Sequence, residues 1–324
     1  MRTAGLDELQ PLLQSHTFHD GAPSDLASLG PSDVLFWGFS PVAPLHFGYD
    51  KLFFTIASLQ RASGCKVILF VADTYARLSR PLTVPTSTIA DYYRRYIEDV
   101  WSIHAEWVLA SDVIRTPEYI DALLAVAAQT RLSVVKDSWT KEDRATSYVY
   151  GALYPLMQVL DVCIIKPTVV FAEESQEKFY RLLPNVAAVL EAGLATTFLF
   201  TAQSPDLRGK PLKGSTGRDR LSLHESPESL RRKLSTAATL PGSDRCPVSE
   251  LLLYSIWPFS SLDTLLADRF TDVRQQTMKG VVRLPENLDL LVAGLRHRVD
   301  GAAAAFTRPP TVSDWIDVTR LRAE

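Results

Sequence analysis

Tyr154, Gln158 and Asp161 are the polar side chains best spaced for joint chemistry in this chain. Spacings of four and three residues put all three on one face of a helix, so their polar ends converge. Leu153, Leu156, Met157 and Leu160 make that helix mostly apolar, and polar groups inside an apolar helix need partners. A pocket for a small polar ligand follows more readily than a solvated face. A second constellation lies in Val34–Tyr49, VLFWGFSPVAPLHFGY. An apolar run breaks at Ser40-Pro41, a short loop leads to His46-Phe47-Gly48-Tyr49, and a long amphipathic segment follows. Strand, tight loop and helix N-terminus is how an α/β protein builds a nucleotide or acyl-ester site. Gly48 lets a ligand approach the backbone, and the helix end offers unpaired N–H groups. Ser40 is a nucleophile by position, or an ordinary Ser-Pro turn residue.

Alternating elements must position these groups. The β-branched and aromatic runs predict strands at 34–39, 66–72, 106–110 and 197–201, with a further apolar stretch at 162–171. Helical patterns fall at 45–62, 87–101, 117–129, 141–160 and 174–183. This alternation predicts an α/β fold with a parallel sheet. Residues 1–32 read as a helical or irregular arm. Residues 203–222 form a polar loop, and Ser226-Pro227-Glu228 opens a helix. Beyond 235 the pattern is helical, at 248–256, 261–267 and 285–305. The expected units are an arm (1–32), a catalytic domain (33–235) and a helical domain (236–324).

Composition narrows the class. The chain has 324 residues, is 46% hydrophobic and 22% charged, and can bury a substantial core. A formal net charge of −3 excludes a general polyanion binder, so any RNA contact must be a local basic patch. Cys65, Cys163 and Cys246 share no metal-ligand spacing and read as buried, reduced thiols; no metal is expected. No secretory leader and no apolar run of about 18 residues is apparent, so a soluble, cytoplasmic protein without a membrane partner is expected.

The order Gly38-Phe39-x-Pro41, His46-x-Gly48-Tyr49, Leu69-Phe70-Val71-Ala72-Asp73, Tyr154-x-x-x-Gln158-x-x-Asp161, Gln176-x-Lys178 and Lys213-Gly214-Ser215-Thr216 resembles class I aminoacyl-tRNA synthetases of the tyrosyl/tryptophanyl group. The resemblance runs from about residue 33 to 308. It implies a Rossmann-type parallel sheet with a C-terminal helical domain, and relatives that form homodimers. It implies that Tyr154 and Gln158 face a substrate α-amino group and Asp161 its side-chain tip. His46 would face phosphate, with Phe36, Gly38, Gly48, Asp73 and Gln176 also at the substrate site. Lys210, Lys213, Arg218 and Arg220 would meet the tRNA acceptor end, unless they are simply a solvated surface.

The departures from that pattern point elsewhere. Phe36 replaces the tyrosine that shares a substrate hydroxyl with the aspartate. Ala172-Glu173-Glu174 replaces paired glycines and adds negative charge where phosphate would lie. Gly214 replaces the methionine of the mobile lysine loop, and Ser40 stands in place of an acid. Gly38-Phe39-Ser40-Pro41 looks like the Gly-x-Ser-Pro of cyclodipeptide synthases, which share the fold and use no ATP. On that resemblance the expected activity is cyclodipeptide formation from two aminoacyl-tRNAs, without a cofactor. Ser40 would be the acyl acceptor, Tyr154 and Gln158 would hold the amino group, and Asp161 would be a wall or proton relay. Glu173 and Glu174 would suit an arginine guanidinium, or merely occupy a helix's first turn. The alternatives are an ATP-dependent tyrosyl-tRNA synthetase-like ligase, an amino-acid ligase derived from one, and a non-enzymatic tRNA-binding paralogue.

Overall fold

The structure is a computed structural model that describes residues 1–16, 26–42, 44–79, 82–138, 149–211, 221–238, 246–259, 292–293 and 295. Six strands carry it: β1 (Leu13–His16), β2 (Val34–Phe39), β3 (Lys66–Val71), β4 (Ala105–Leu109), β5 (Val169–Glu173) and β6 (Thr197–Thr201). They form one sheet in the order β1-β6-β5-β2-β3-β4. Every pairing is parallel except β1 with β6. The α/β class with a Rossmann-type parallel sheet is therefore as the alternation predicted.

Because side chains alternate along a strand, the sheet divides the apolar interior into two layers. Leu35, Trp37 and Phe39 of β2 join one cluster with Phe53 and Phe54 of the helix Asp50–Ser63. Phe36 faces the other way, into a cluster with Phe70, Leu156, Leu160 and Phe198. The helix Val149–Ile165, which carries the first constellation, packs in this second layer. Local chemistry sets the ends of these elements. Gly64 takes a left-handed conformation (φ 72°) and closes the helix Asp50–Ser63 through its N–H to the Gln60 carbonyl. Thr116 caps the helix Pro117–Gln129 by accepting the Tyr119 N–H, and Ser226 caps Pro227–Ser235 by accepting that of Ser229.

Three expectations are corrected. Part of the N-terminal arm is a strand, because the open edge of β6 supplies a ladder that a short segment can complete: Leu13 pairs with Thr201 and His16 with Phe198. The apolar stretch 162–171 merges two elements. The helix runs to Ile165, the chain turns at Lys166 with φ 52° and Pro167, and β5 begins at Val169. The expected helix 174–183 is broken into Glu174–Gln176, Glu177–Tyr180 and Leu183–Val189. Beyond the boundary expected at 235, the described residues are 236–238, 246–259, 292–293 and 295. Cys246 to Trp257 belongs to the same apolar cluster as the helix Asp50–Ser63, with Phe54 edge-on to Tyr254 at 5.5 Å. The arm ties to both, Ala4 N–H donating to Ser58 Oγ and Arg2 N–H to the Pro258 carbonyl. The predicted helices at 261–267 and 285–305 lie outside the described residues, apart from 292–293 and 295. The three cysteines are free and buried. Among the described residues no helix is long and apolar enough to cross a membrane.

Candidate active site

An open cavity of about 370 Å³ lies at the carboxyl ends of β2, β3 and β5, where parallel sheets offer a crevice to ligands. It brings together Phe36, Gly38, Ser40, His46, Gly48, Tyr154, Gln158, Asp161, Glu173 and Gln176. A Cβ at Gly38 would meet the Phe36 ring at 3.4 Å, an ordinary van der Waals contact. Three expected site residues, Asp73, Glu174 and Lys210, are not among those lining it. Asp73 is buried and its Oδ1 accepts the Ser111 N–H at 2.8 Å, tying the end of β3 to the chain after β4. Glu174 starts the short turn after β5. Lys210 is exposed on the loop after β6 and does not line the cavity. Lys213, Arg218 and Arg220 lie outside the described residues.

The inner end is built around Asp161. Its carboxyl is 4% exposed and accepts hydrogen bonds from two tyrosines on other elements. Tyr75 Oη donates to Oδ2 at 2.7 Å and Tyr119 Oη to Oδ1 at 2.9 Å; the two hydroxyls are 3.3 Å apart. Burial pushes the Asp161 pKa up to about 7, against the opposing pull of the two hydroxyl donors. Burial and the Asp161 charge raise both phenol pKa values far above their ordinary range, so both remain donors. The sequence reading missed Tyr75 and Tyr119. Tyr75 carried a usable signal, since it lies two residues past Asp73 at the mouth of a parallel strand. Tyr119 carried none, because its contact with Asp161 spans 42 residues.

One side wall is made of neutral polar groups. Tyr154 lies edge-on to Tyr75 at 5.7 Å and to Phe179 at 5.6 Å, which fixes its ring. Gln158 Nε2 donates to Gln176 Oε1 at 3.2 Å, so the helix Val149–Ile165 and the turn after β5 present their amides together.

The outer wall is charged. Glu173, at the end of β5, has its pKa raised to about 7 by burial, lowered by Lys51 and raised further by Glu174 and Glu250. Lys51 Nζ contacts Glu250 Oε1 at 2.9 Å, both side chains being almost buried, and lies over the Tyr254 ring at 5.6 Å. Burial pulls the Lys51 pKa down more than any one neighbour raises it, but Glu250, Tyr254 and Glu173 together make the net direction up. Ser204 Oγ contacts both the Gly48 carbonyl at 3.2 Å and Glu250 Oε2 at 3.4 Å. A small adjoining cavity of about 40 Å³ is lined by His46, Gly48, Lys51, Ser204 and Glu250, among others. The sequence reading passed over Lys51, although a lysine inside an otherwise buried helical run was a signal. Only one of the two carboxylates expected to repel phosphate lines the cavity: Glu174 does not, and burial raises the Glu173 pKa to about 7 beside Lys51.

Ser40 lies on the rim, where its carbonyl accepts the Val42 N–H in a tight turn. Among the described residues no histidine, lysine or carboxylate hydrogen-bonds its hydroxyl.

Comparison with known proteins completes the description. The family profile described as tRNA synthetases class I (W and Y) matches residues 32–268. A tyrosine–tRNA ligase of Methanoculleus marisnigri is 28% identical over 235 residues, covering 70% of this chain and 72% of the relative. One from Methanocorpusculum labreanum is 27% identical over 248 residues, covering 74% and 75%. The tyrosyl-tRNA synthetase of Archaeoglobus fulgidus, solved in complex with L-tyrosine, superposes with a TM-score of 0.73 at 21% identity, covering 86% of this chain and 92% of that one. These similarities overturn the expected cyclodipeptide synthase. The matching proteins are named as ligases of tyrosine and tRNA, and the Ser-Pro motif that suggested otherwise is four residues without a hydrogen-bonded base.

Proposed function

Since this chain belongs to the class I tRNA synthetase family of the tryptophan and tyrosine enzymes, we propose that it is an ATP-dependent aminoacyl-tRNA ligase. The observation that carries this reading is the shared cavity. Gly38, His46 and Gly48 line it together with Tyr154, Gln158 and Gln176. The first group leaves room for a nucleotide, and the second offers hydroxyl and amide groups to an amino acid's ammonium.

The chemistry follows from that juxtaposition. The amino-acid carboxylate attacks the α-phosphorus of ATP, a P–O bond forms, the α–β bridging bond breaks, and pyrophosphate leaves. A terminal ribose hydroxyl of tRNA then attacks the activated carbonyl, and AMP leaves. These steps need positioned reactants and electrostatic support rather than a protein nucleophile. Lys51, close behind Gly48, supplies positive charge that partly offsets Glu173 beside an incoming polyphosphate.

Amino-acid-dependent exchange of labelled pyrophosphate into ATP tests the reading. Gln158→Ala should raise the amino-acid KM about ten- to a hundredfold, the scale for losing a hydrogen bond to a charged group. Ser40→Ala should leave the exchange rate within about threefold of the wild type. No exchange with any of the standard amino acids would sink the proposal.

A further inference from the structure

The inner end of the cavity holds a self-contained answer to the question of what it accepts. Phe36, Phe70, Tyr75 and Asp161 line it, and of these only Tyr75 and Asp161 carry polar atoms in their side chains. A tyrosine hydroxyl has one hydrogen to donate. That of Tyr75 is committed to Asp161 Oδ2 and that of Tyr119 to Oδ1. Each carboxyl oxygen therefore already accepts a bond from a donor that is itself almost wholly buried, Tyr75 being 2% and Tyr119 1% exposed. Opposite them the Phe36 ring, 5.7 Å from that of Phe70, offers no hydrogen-bonding atom. A ligand hydroxyl driven into this end would lose water and meet a carboxyl that already accepts a bond on each oxygen, and neither phenol would have a hydrogen left to donate to it. An aryl ring ending in C–H would lose nothing comparable and would meet the edges and faces of Phe36, Phe70 and Tyr75.

We propose that the Tyr75 and Tyr119 hydroxyls stand in for a substrate hydroxyl, so that the pocket selects an amino acid with an apolar aromatic side chain, phenylalanine being the type, over tyrosine. This rests on the ligase reading only in taking the cavity as an amino-acid site. Tyr75 and Phe36 are then specificity determinants. Discrimination against the hydroxyl should be about ten- to a hundredfold, the scale on which an apolar site refuses an analogue that adds a hydroxyl.

Calorimetry of the full chain with free L-phenylalanine, L-tyrosine and L-tryptophan tests this, with pyrophosphate exchange run in parallel. The wild type should bind phenylalanine at least tenfold more tightly than either competitor. Tyr75→Phe frees one Asp161 oxygen and should reduce the phenylalanine-to-tyrosine preference at least tenfold, and Phe36→Tyr should reduce it through a new donor on the opposite wall. If Tyr75→Phe does not fold, Tyr119→Phe frees the other oxygen and must show the same trend. A wild type that prefers tyrosine or tryptophan, or binds none of the three, overturns the inference, as does an unchanged preference in folded variants. Exchange driven by some other amino acid would retain the ligase reading while sinking this one. Selective phenylalanine binding without exchange would do the reverse.

Discussion

The two ends of the cavity each bury a carboxyl group, and burial raises the pKa of each to about 7. At the inner end two phenols hold Asp161 in place, and among the described residues it meets no cation. At the outer wall Glu173 relies on Lys51, which is itself shared with Glu250. Hydrogen bonds from neutral donors fix an atom in one direction and keep net charge low. An ion pair between nearly dry groups fixes little by itself and leaves a large penalty when one member goes. The inner end is thus a stationary surface suited to selecting a side chain. The outer wall holds charge that an anionic ligand can redistribute.

Removing one side of the ion pair should produce the largest effect. Lys51→Met leaves Glu250 without its cation and Glu173 without its nearest compensating charge, and should cost about 3–5 kcal/mol in urea unfolding. Adding Glu250→Leu should restore at least half of that loss, because an apolar pair replaces an unpaired charge. A smaller effect is expected at the inner end. Asp161→Asn keeps one acceptor for a phenol and places an NH₂ group against the other, so denaturation should show a loss of about 1–3 kcal/mol. A loss there exceeding that of Lys51→Met would invert the comparison.

The smallest effect is a stabilisation that depends on pH. Glu173 has a folded pKa raised from 4.5 to about 7, so between those values the folded protein binds more protons than the unfolded chain. Stability from this group is therefore full below about pH 4.5, falls as pH rises to about 7, and is constant above. Glu173→Gln should remove that decline and make the protein about 1 kcal/mol more stable than the wild type at pH 8, a figure discounted for partial exposure. Melting curves across pH 4 to 8 would show whether the two profiles converge at the acid end. Parallel profiles would mean that Glu173 does not titrate in this window.

The sequence determined the strands β2, β3 and β6 almost to the residue, the helix Pro117–Gln129, and the Ser226 start of the helix Pro227–Ser235, because periodicity and capping are local properties. It also placed Tyr154, Gln158 and Asp161 on one helix face, and all three line the cavity. Tertiary structure alone decided what surrounds them. Asp161 meets Tyr75 and Tyr119 across separations of 86 and 42 residues, and Lys51 meets Glu250 across 199, distances at which no spacing rule operates. Ser40 shows the same limit from the other side. Its motif is local, and so was legible, but nucleophilic chemistry depends on a base or donor that only the folded chain could bring. Asp73 was expected at the substrate site on the resemblance alone, yet a backbone N–H after the neighbouring strand binds its Oδ1. A sequence of this kind specifies elements through short-range order. The partners that turn a polar side chain into a site are chosen by the packing of one element on another.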